Sequence, residues 1–308
     1  MDATPSFFPL ASLEAAGGVR AYFTGRSGGL SPQWNGGLNW SISIGDDPSN
    51  VRKNRERSLE RIGLTLERTV IAGLVHGDRV VAVTGEEPLT PDGIRLIADC
   101  DAIISDQPGL ALVVTAADCV PVLLYDPVRR AVGAVHAGWR GTVLGIAGKA
   151  VQAMVQTYGC NPADILAEVG PSIGSCCYEV DEAVAGPVRA QFGEAAASFL
   201  RPEPPFGDKG APSSGRHSPA GLNSHGPRRL PPSEQQSPAG LNSHGPRRLL
   251  PGKFHLDLWA ANQHDLRRAG VRSAQIHGTC TSCHVDALFS HRAEKGAAGR
   301  GAAIIALI

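Results

Sequence analysis

The sequence predicts a mixed α/β fold. Short β-branched apolar runs bounded by Gly, Pro or Asp recur along the chain, stretches with helical periodicity lie between some of them, and one segment has the composition of neither. Residues 19–24 form the first run, followed by 69–75, 79–83, 101–104, 111–115, 121–125 and 131–136; each is read as a strand. Three helices are expected. The first begins after Asp47-Pro48, a capping residue followed by a proline whose fixed φ suits the first helical position, and runs to about Ile62. The others are expected over residues 141–158 and 258–269.

The segment from Arg201 to Gly252 is rich in Pro, Gly, Ser and Arg and poor in apolar residues. Within it SPAGLNSHGPRRL occurs twice, over 218–230 and 237–249. Such a segment has little to bury against the entropy of ordering it. It is therefore expected to be a disordered surface insertion, with His217, His225, His244 and the Arg-Arg pairs solvated rather than holding a metal or an anion. A long insertion adds little closure entropy, because the cost grows as the logarithm of length. A single domain over residues 1–308, interrupted by 201–252, is the expected organisation.

Composition narrows the function. Apolar residues make up 42% of the chain, as in proteins with a sizeable core, and 29 basic against 29 acidic residues leave no net charge to draw it to nucleic acid or an anionic membrane. No apolar run approaches the roughly 18 residues of a membrane helix, and Met1 to Ala16 holds Asp2 and Glu14 but no basic stretch, so neither membrane insertion nor export is expected. Seven scattered cysteines suit a reducing compartment, where thiols serve metals or catalysis. The expected location is cytoplasmic and the expected partner a small molecule.

Three residues stand out at the ends of predicted strands: His76 after AGLV, Cys119 after ALVVTAAD, and His136 after AVGAV. They are 43 and 17 residues apart, too far for one helix or finger, so only neighbouring strands can bring them together. Two imidazoles and a thiolate fill three of zinc's four tetrahedral positions and leave one for water or substrate, the pattern of a catalytic zinc. From spacing alone, structural roles for each remain open. Among the other cysteines, Cys176 and Cys177 are adjacent, and Cys280-Thr-Ser-Cys283 is a CxxC that suits half a structural zinc site or a redox pair. No second CxxC exists, and these four are expected to be plain thiols. The turn Thr24-Gly25-Arg26-Ser27-Gly28-Gly29 offers an anion a set of backbone N–H groups and a guanidinium, or is simply a tight turn. The run Ala137-Gly138-Trp139-Arg140 follows His136 directly and offers a stacking platform and a charge.

Taken in order, FTGRSGG, NWSISIGDDPSNVRKNRERSL, VHGDRV, DCDAIISDQPGLALVVTAADCVPVLLYD, AVGAVHAGWRGT, EVGPSIGSCCYEV, HLDLWAANQHDLRRAGV and HGTCTSCHVDALFSHR resemble the laccase-domain family, also called polyphenol oxidase or peptidoglycan editing factor. The match runs from about Arg20 to Ile308 apart from the insertion, and AADC with VHAGWRGT is its most specific part. The resemblance implies layers in the order α/β/β/α, zinc held by His76, Cys119 and His136, and phosphorolysis of adenosine, inosine and methylthioadenosine together with hydrolytic deamination of adenosine. Under that reading His76, Cys119 and His136 are catalytic, Arg26 and Arg140 bind substrate, and the partners are purine nucleosides and phosphate; a monomer fits. Leu74, Ser172 and Gly25 depart from the usual Gln, Cys and Thr of the family and bear on substrate preference.

The family's copper-oxidase name meets a chemical objection. A trinuclear copper cluster favours many imidazoles, and this chain has ten histidines, three of them in the insertion, with no His-x-His. Copper remains an alternative metal at the His, Cys, His site, since it outranks zinc in affinity for such donors. For deamination, the H-x-E and P-C-x-x-C setting of known zinc deaminases is missing, which leaves Asp118 as a candidate acid-base partner. Two other classes fit the same residues: a hydrolase in which His136 activates Cys119 as nucleophile, and an editing partner that binds cell-wall precursors.

Overall fold

Strands that are apolar along their whole length need cover on both faces, and the chain provides it with helices outside and a second sheet inside. The computed structural model describes residues 4–34, 37–90, 93–202 and 252–308. The expectations for the repeat segment therefore lie outside the described residues, except at its edges. In chain order the strands are β1 (Phe7–Pro9), β2 (Val19–Thr24), β3 (Thr69–Gly73), β4 (Val80–Ala82), β5 (Arg95–Ala98), β6 (Ala102–Ser105), β7 (Ala111–Ala116), β8 (Val120–Asp126), β9 (Ala131–Ala137), β10 (Leu166–Val169), β11 (Glu179–Val180), β12 (Leu200–Pro202), β13 (Phe254–Leu256), β14 (Ser273–Ile276) and β15 (Gly301–Leu307). The helices are α1 (Ala11–Glu14), α2 (Pro48–Arg61), α3 (Trp139–Val143), α4 (Ile146–Tyr158), α5 (Glu182–Phe192) and α6 (Leu258–Arg268).

One six-stranded sheet runs β1-β2-β15-β7-β3-β5 and a second runs β14-β10-β8-β9-β6-β4; both mix parallel and antiparallel pairs. They pack face to face through one apolar cluster: Phe23, Val70, Leu112, Val114 and Ile305 from the first sheet meet Ile103, Leu123, Tyr125, Val132 and Ala134 from the second. The outer face of the first sheet, with Ile71, Val113 and Ile304, is covered by Leu59 of α2 and by Trp40. The outer face of the second, with Val122, Leu124 and Val135, is covered by Ile146, Val151 and Met154 of α4 and by Ala261 and Leu266 of α6. The layers are therefore α/β/β/α, as the resemblance implied.

Local chemistry sets the helix ends. Asp47 caps α2 by accepting from the Ser49 N–H at 2.7 Å, with Pro48 in the first turn, and Asp257 caps α6 by accepting from the Ala260 N–H at 3.0 Å. The helix expected over 141–158 is two helices, because Gly145 takes a left-handed φ of 73° and breaks the run between α3 and α4. Helix α5 is not among the three expected helices; its sequence carries Gly186 and Pro187 in its interior. At the edges of the repeat segment, Arg201 and Pro202 finish β12 instead of opening a loop, and β12 pairs antiparallel with β13, Pro202 opposite Phe254.

Candidate metal-centred active site

The site forms where the two sheets meet at one end. Strand β7 of the first sheet runs directly into β8 of the second through Ala117-Asp118-Cys119, so Cys119 sits on the crossover. His136 is the penultimate residue of β9, and Pro121 of β8 lies opposite it in the ladder. His76 lies three residues beyond β3, in a turn where its φ is 59°. Asp118 has a φ of 83°, so two of the non-glycine residues held in the left-handed region belong to this corner.

The structure brings His76, Cys119 and His136 together: one potential ligand atom from each lies within 4.8 Å of the others, and the two imidazole centroids are 5.0 Å apart. Gly138 makes the convergence sterically feasible. A Cβ there would stand 3.0 Å from His76 Nδ1 and 3.1 Å from Cys119 Sγ, so that one of them would have to give by a few tenths of an ångström.

Asp101, fully buried, organises the two histidines. Its Oδ1 accepts from His136 Nδ1 at 2.8 Å and from the His76 N–H at 3.0 Å; its Oδ2 accepts from the Gly77 N–H at 2.7 Å and the Val75 N–H at 3.2 Å. The carboxylate thereby wraps three successive backbone donors and holds the strained turn of His76. It also fixes Nδ1 of His136 as the protonated nitrogen and leaves Nε2 for a metal, the usual outer-shell arrangement of ligating histidines. Burial pushes the Asp101 carboxyl up, but the hydrogen bonds from His136, Gly77 and Val75 outweigh it and hold it below its ordinary value.

The electrostatics favour an ionised sulfur. Burial pushes the Cys119 thiol up, yet the charge and hydrogen bond of His136 and the hydrogen bond of His76 bring it down to about 6. For His136, burial lowers the imidazole, while Cys119 and Asp101 together raise it to about 9. Without a metal, these shifts favour a thiolate beside an imidazolium at neutral pH. Two imidazoles and a thiolate at this spacing have the chemistry and room of a tetrahedral zinc site. Asp118, by contrast, has both oxygens engaged: Thr281 Oγ1 donates to Oδ1 and the Arg292 N–H to Oδ2, each at 2.6 Å. It ties two later segments to the crossover.

A cavity of about 580 Å³, within the ~300–1,000 Å³ of small-molecule sites, opens on the three residues. Trp139, Arg140, Tyr178, Arg292 and Arg300 line it. The Arg140 guanidinium stacks on Trp139, 4.4 Å from the ring centroid. Burial, and then the negative charge of Cys119, push the Tyr178 hydroxyl up to about 12, so at neutral pH it is a donor. Arg26 lies elsewhere. It is not among the lining residues; its Nη2 bridges to Glu294 at 2.7 Å, its Nη1 donates to the Val285 carbonyl, and its guanidinium covers Phe289. The glycines of its turn serve backbone packing: a Cβ at Gly28 would meet Thr4 O at 2.2 Å and one at Gly29 would meet Gly37 O at 2.1 Å. Sequence reading found His76, Cys119, His136, Trp139 and Arg140, but not Asp101, Tyr178 or Arg300.

The sequence matches the family described as multi-copper polyphenol oxidoreductase laccase over residues 20–211 and 232–308. The chain belongs to this family. It is 33% identical to the purine nucleoside phosphorylase YlmD of Geobacillus stearothermophilus over 292 residues, covering 94% of this chain and 90% of that protein. It is 43% identical over 182 residues to the purine nucleoside phosphorylase ORF3 of Streptomyces griseus, covering 58% of this chain and 72% of that protein. Among solved structures, the hypothetical protein YfiH of Bacillus licheniformis superimposes with a TM-score of 0.77 at 30% identity, over 99% of this chain and 97% of that one. This laccase-family chain thus shares its overall fold with that structure. The described residues hold two groups of three or more potential metal ligands, His76-Cys119-His136 and a set of four cysteines, and neither has the many imidazoles of a multicopper cluster.

Proposed function

We propose that this chain is a zinc-dependent purine nucleoside phosphorylase that also deaminates adenosine, with His76, Cys119 and His136 as the metal ligands. The observation that carries the reading is their convergence beneath a cavity lined by Trp139, Arg140, Tyr178 and Arg300, with Asp101 fixing both histidines. Relatives named purine nucleoside phosphorylase support it.

In phosphorolysis, phosphate attacks the ribose C1′ while the purine leaves with the bond's electrons. This demands an anion clamp, a platform for the base, and a donor for the leaving group. Arg140 and Arg300, which line the cavity, are assigned the phosphate in preference to Arg26, which is paired with Glu294. Trp139 offers its indole to the flat base, its geometry stiffened by Arg140. Tyr178, protonated at neutral pH, is placed to donate to the purine or to phosphate. When bound, zinc supplies Lewis-acid polarisation and, for deamination, activation of water. Asp118, which lines the cavity while accepting from Thr281 and the Arg292 N–H, stays the candidate acid-base partner for deamination.

The test is to incubate the purified chain with adenosine with and without phosphate and to quantify adenine and ribose 1-phosphate. Both are expected only with phosphate, with ribose 1-phosphate matching adenine plus any hypoxanthine from the inosine formed; without phosphate, inosine should accumulate. Neither product forming, or adenine forming equally without phosphate, overturns the assignment. A second reading, a cysteine hydrolase, is favoured by one observation, the Cys119 thiolate beside His136 with Asp101 behind it. Turnover that survives complete removal of metal would support that reading instead.

A further inference from the structure

The CxxC, separated in sequence from the adjacent pair Cys176-Cys177 by about a hundred residues, does not stand alone in space. Residues 170–173 and 279–281 run side by side: Ser172 and Cys280 form a parallel bridge, the Ser172 N–H donates to the Thr279 carbonyl at 3.2 Å, and the Thr281 N–H donates to the Ser172 carbonyl at 3.1 Å. Each strand segment then turns. Beyond the first, the Cys177 and Tyr178 N–H groups both close on the Gly174 carbonyl at 3.0 Å; beyond the second, the His284 N–H closes on the Thr281 carbonyl at 3.3 Å. The two turns face each other and bring all four sulfurs within 4.8 Å of one another.

The spacing of the sulfurs tells which chemistry they suit. Cys177 Sγ and Cys283 Sγ are 3.4 Å apart, Cys176 Sγ and Cys283 Sγ 3.6 Å. A disulfide needs ~2.05 Å. Four thiolates on zinc at ~2.3 Å define a tetrahedron with edges of ~3.8 Å. The surroundings are those of a thiolate cluster as well. The Gly174 N–H donates to Cys280 Sγ at 3.2 Å and the Cys283 backbone N–H is turned to the same sulfur. Gly174 also leaves room: a Cβ on it would stand 3.2 Å from Cys176 Sγ, 3.3 Å from Cys280 Cβ and 2.9 Å from Trp259.

We propose that Cys176, Cys177, Cys280 and Cys283 form a second, structural metal site that holds one zinc ion with four sulfur ligands and no open position. Soft thiolates select such an ion over hard cations, and binding releases the remaining thiol protons to solvent. Cys280 is buried while Cys176 and Cys283 are exposed, so the site can be loaded from solvent in the folded chain. Its consequence reaches the catalytic cavity. Thr281, inside the CxxC, donates to Asp118 beside Cys119, the Ile173 N–H donates to the Asp118 carbonyl at 3.0 Å, and Tyr178 follows Cys177 into the cavity lining. The metal would clip together the two segments that position these groups.

The test uses the full-length Cys119→Ala chain, in which the catalytic triad is broken and any tightly held metal reports on the sulfur cluster. After loading with zinc and gel filtration it should retain about one zinc per chain. Reloaded with cobalt(II), it should show the intense thiolate-to-metal charge transfer and visible bands of a tetrahedral sulfur site. Cys176, Cys177, Cys280 and Cys283 should be alkylated slowly with zinc and fast after chelation, as read by peptide mapping. A Cys119→Ala chain that retains no zinc, or the four cysteines alkylated equally fast with and without zinc, overturns the proposal; so does their recovery as disulfides from reductant-treated protein. The alkylation comparison needs no substitution within the cluster, so it stands even if Cys280→Ser fails to fold.

Discussion

Replacing Asp101 with Asn exchanges one acceptor oxygen for a donor NH2 at a position where all four hydrogen-bonding neighbours need acceptors. If the NH2 takes the place of Oδ2, it confronts the Val75 and Gly77 N–H groups, and two buried backbone donors lose their acceptor at ~1–3 kcal/mol each. If it takes the place of Oδ1, the His76 N–H loses its acceptor and the NH2 donates to His136 Nδ1. That choice forces the proton onto Nε2, the nitrogen a metal needs. Either orientation weakens the site. Outer-shell losses of this kind reduce metal affinity by ~10–100-fold, equivalent to ~1.4–2.7 kcal/mol. Zinc affinity is measured by competition with a chromogenic chelator, and chain stability by urea unfolding with metal removed. Affinity unchanged within about two-fold would refute the role assigned to Asp101, and with it the claim that His136 ligates through Nε2.

Other expectations follow from single features. Gly138→Ala should weaken zinc binding at the triad while leaving the sheets intact, because its Cβ meets His76 and Cys119 at 3.0–3.1 Å; near-normal affinity by chelator competition would contradict that geometry. In metal-stripped protein Cys119 should alkylate with a midpoint near pH 6 instead of the ordinary thiol value. The sign is fixed by the nucleophile being the thiolate: a lowered pKa makes it abundant from pH 6 upward, and a midpoint near ~8.5 would contradict the pairing with His136. Ile305→Ala, fully buried between the two sheets, should cost ~2–5 kcal/mol by urea unfolding without changing the phosphate dependence of turnover. Replacing residues 203–251 by a short turn between β12 and β13 should leave turnover intact, since Pro202 and Phe254 already face each other in the ladder. A large loss of activity would give that segment a role the paired strands do not suggest.

The convergent His76, Cys119 and His136 were legible as candidates because each sits beside a recognisable run: VHG, AADC and VHAGW place them at the ends of predicted strands. Asp101 was not, because an acidic residue just before a strand looks like any turn residue; only the fold shows three backbone N–H groups and an imidazole closing on it. The four-cysteine cluster was hidden for a related reason. Cys176-Cys177 and the CxxC meet through a short parallel pairing between distant segments, and local spacing records nothing of it. Arg26 illustrates the opposite case: a Gly-rich turn with an arginine has the composition of an anion site, but its glycines serve close backbone packing and its charge meets Glu294. Among the strands, β15 is a terminal run of Gly, Ala, Ile and Leu without alternation, and its central place between β2 and β7 depends on partners hundreds of residues away.

The central claim is that His76, Cys119 and His136 hold a zinc ion on which nucleoside turnover depends. Zinc content per chain and phosphate-dependent adenine release from adenosine, measured side by side on wild type and Cys119→Ala, test it most directly. The account predicts that the variant loses one zinc relative to wild type and loses adenine release with it. Wild-type adenine release from a variant lacking that zinc would contradict it.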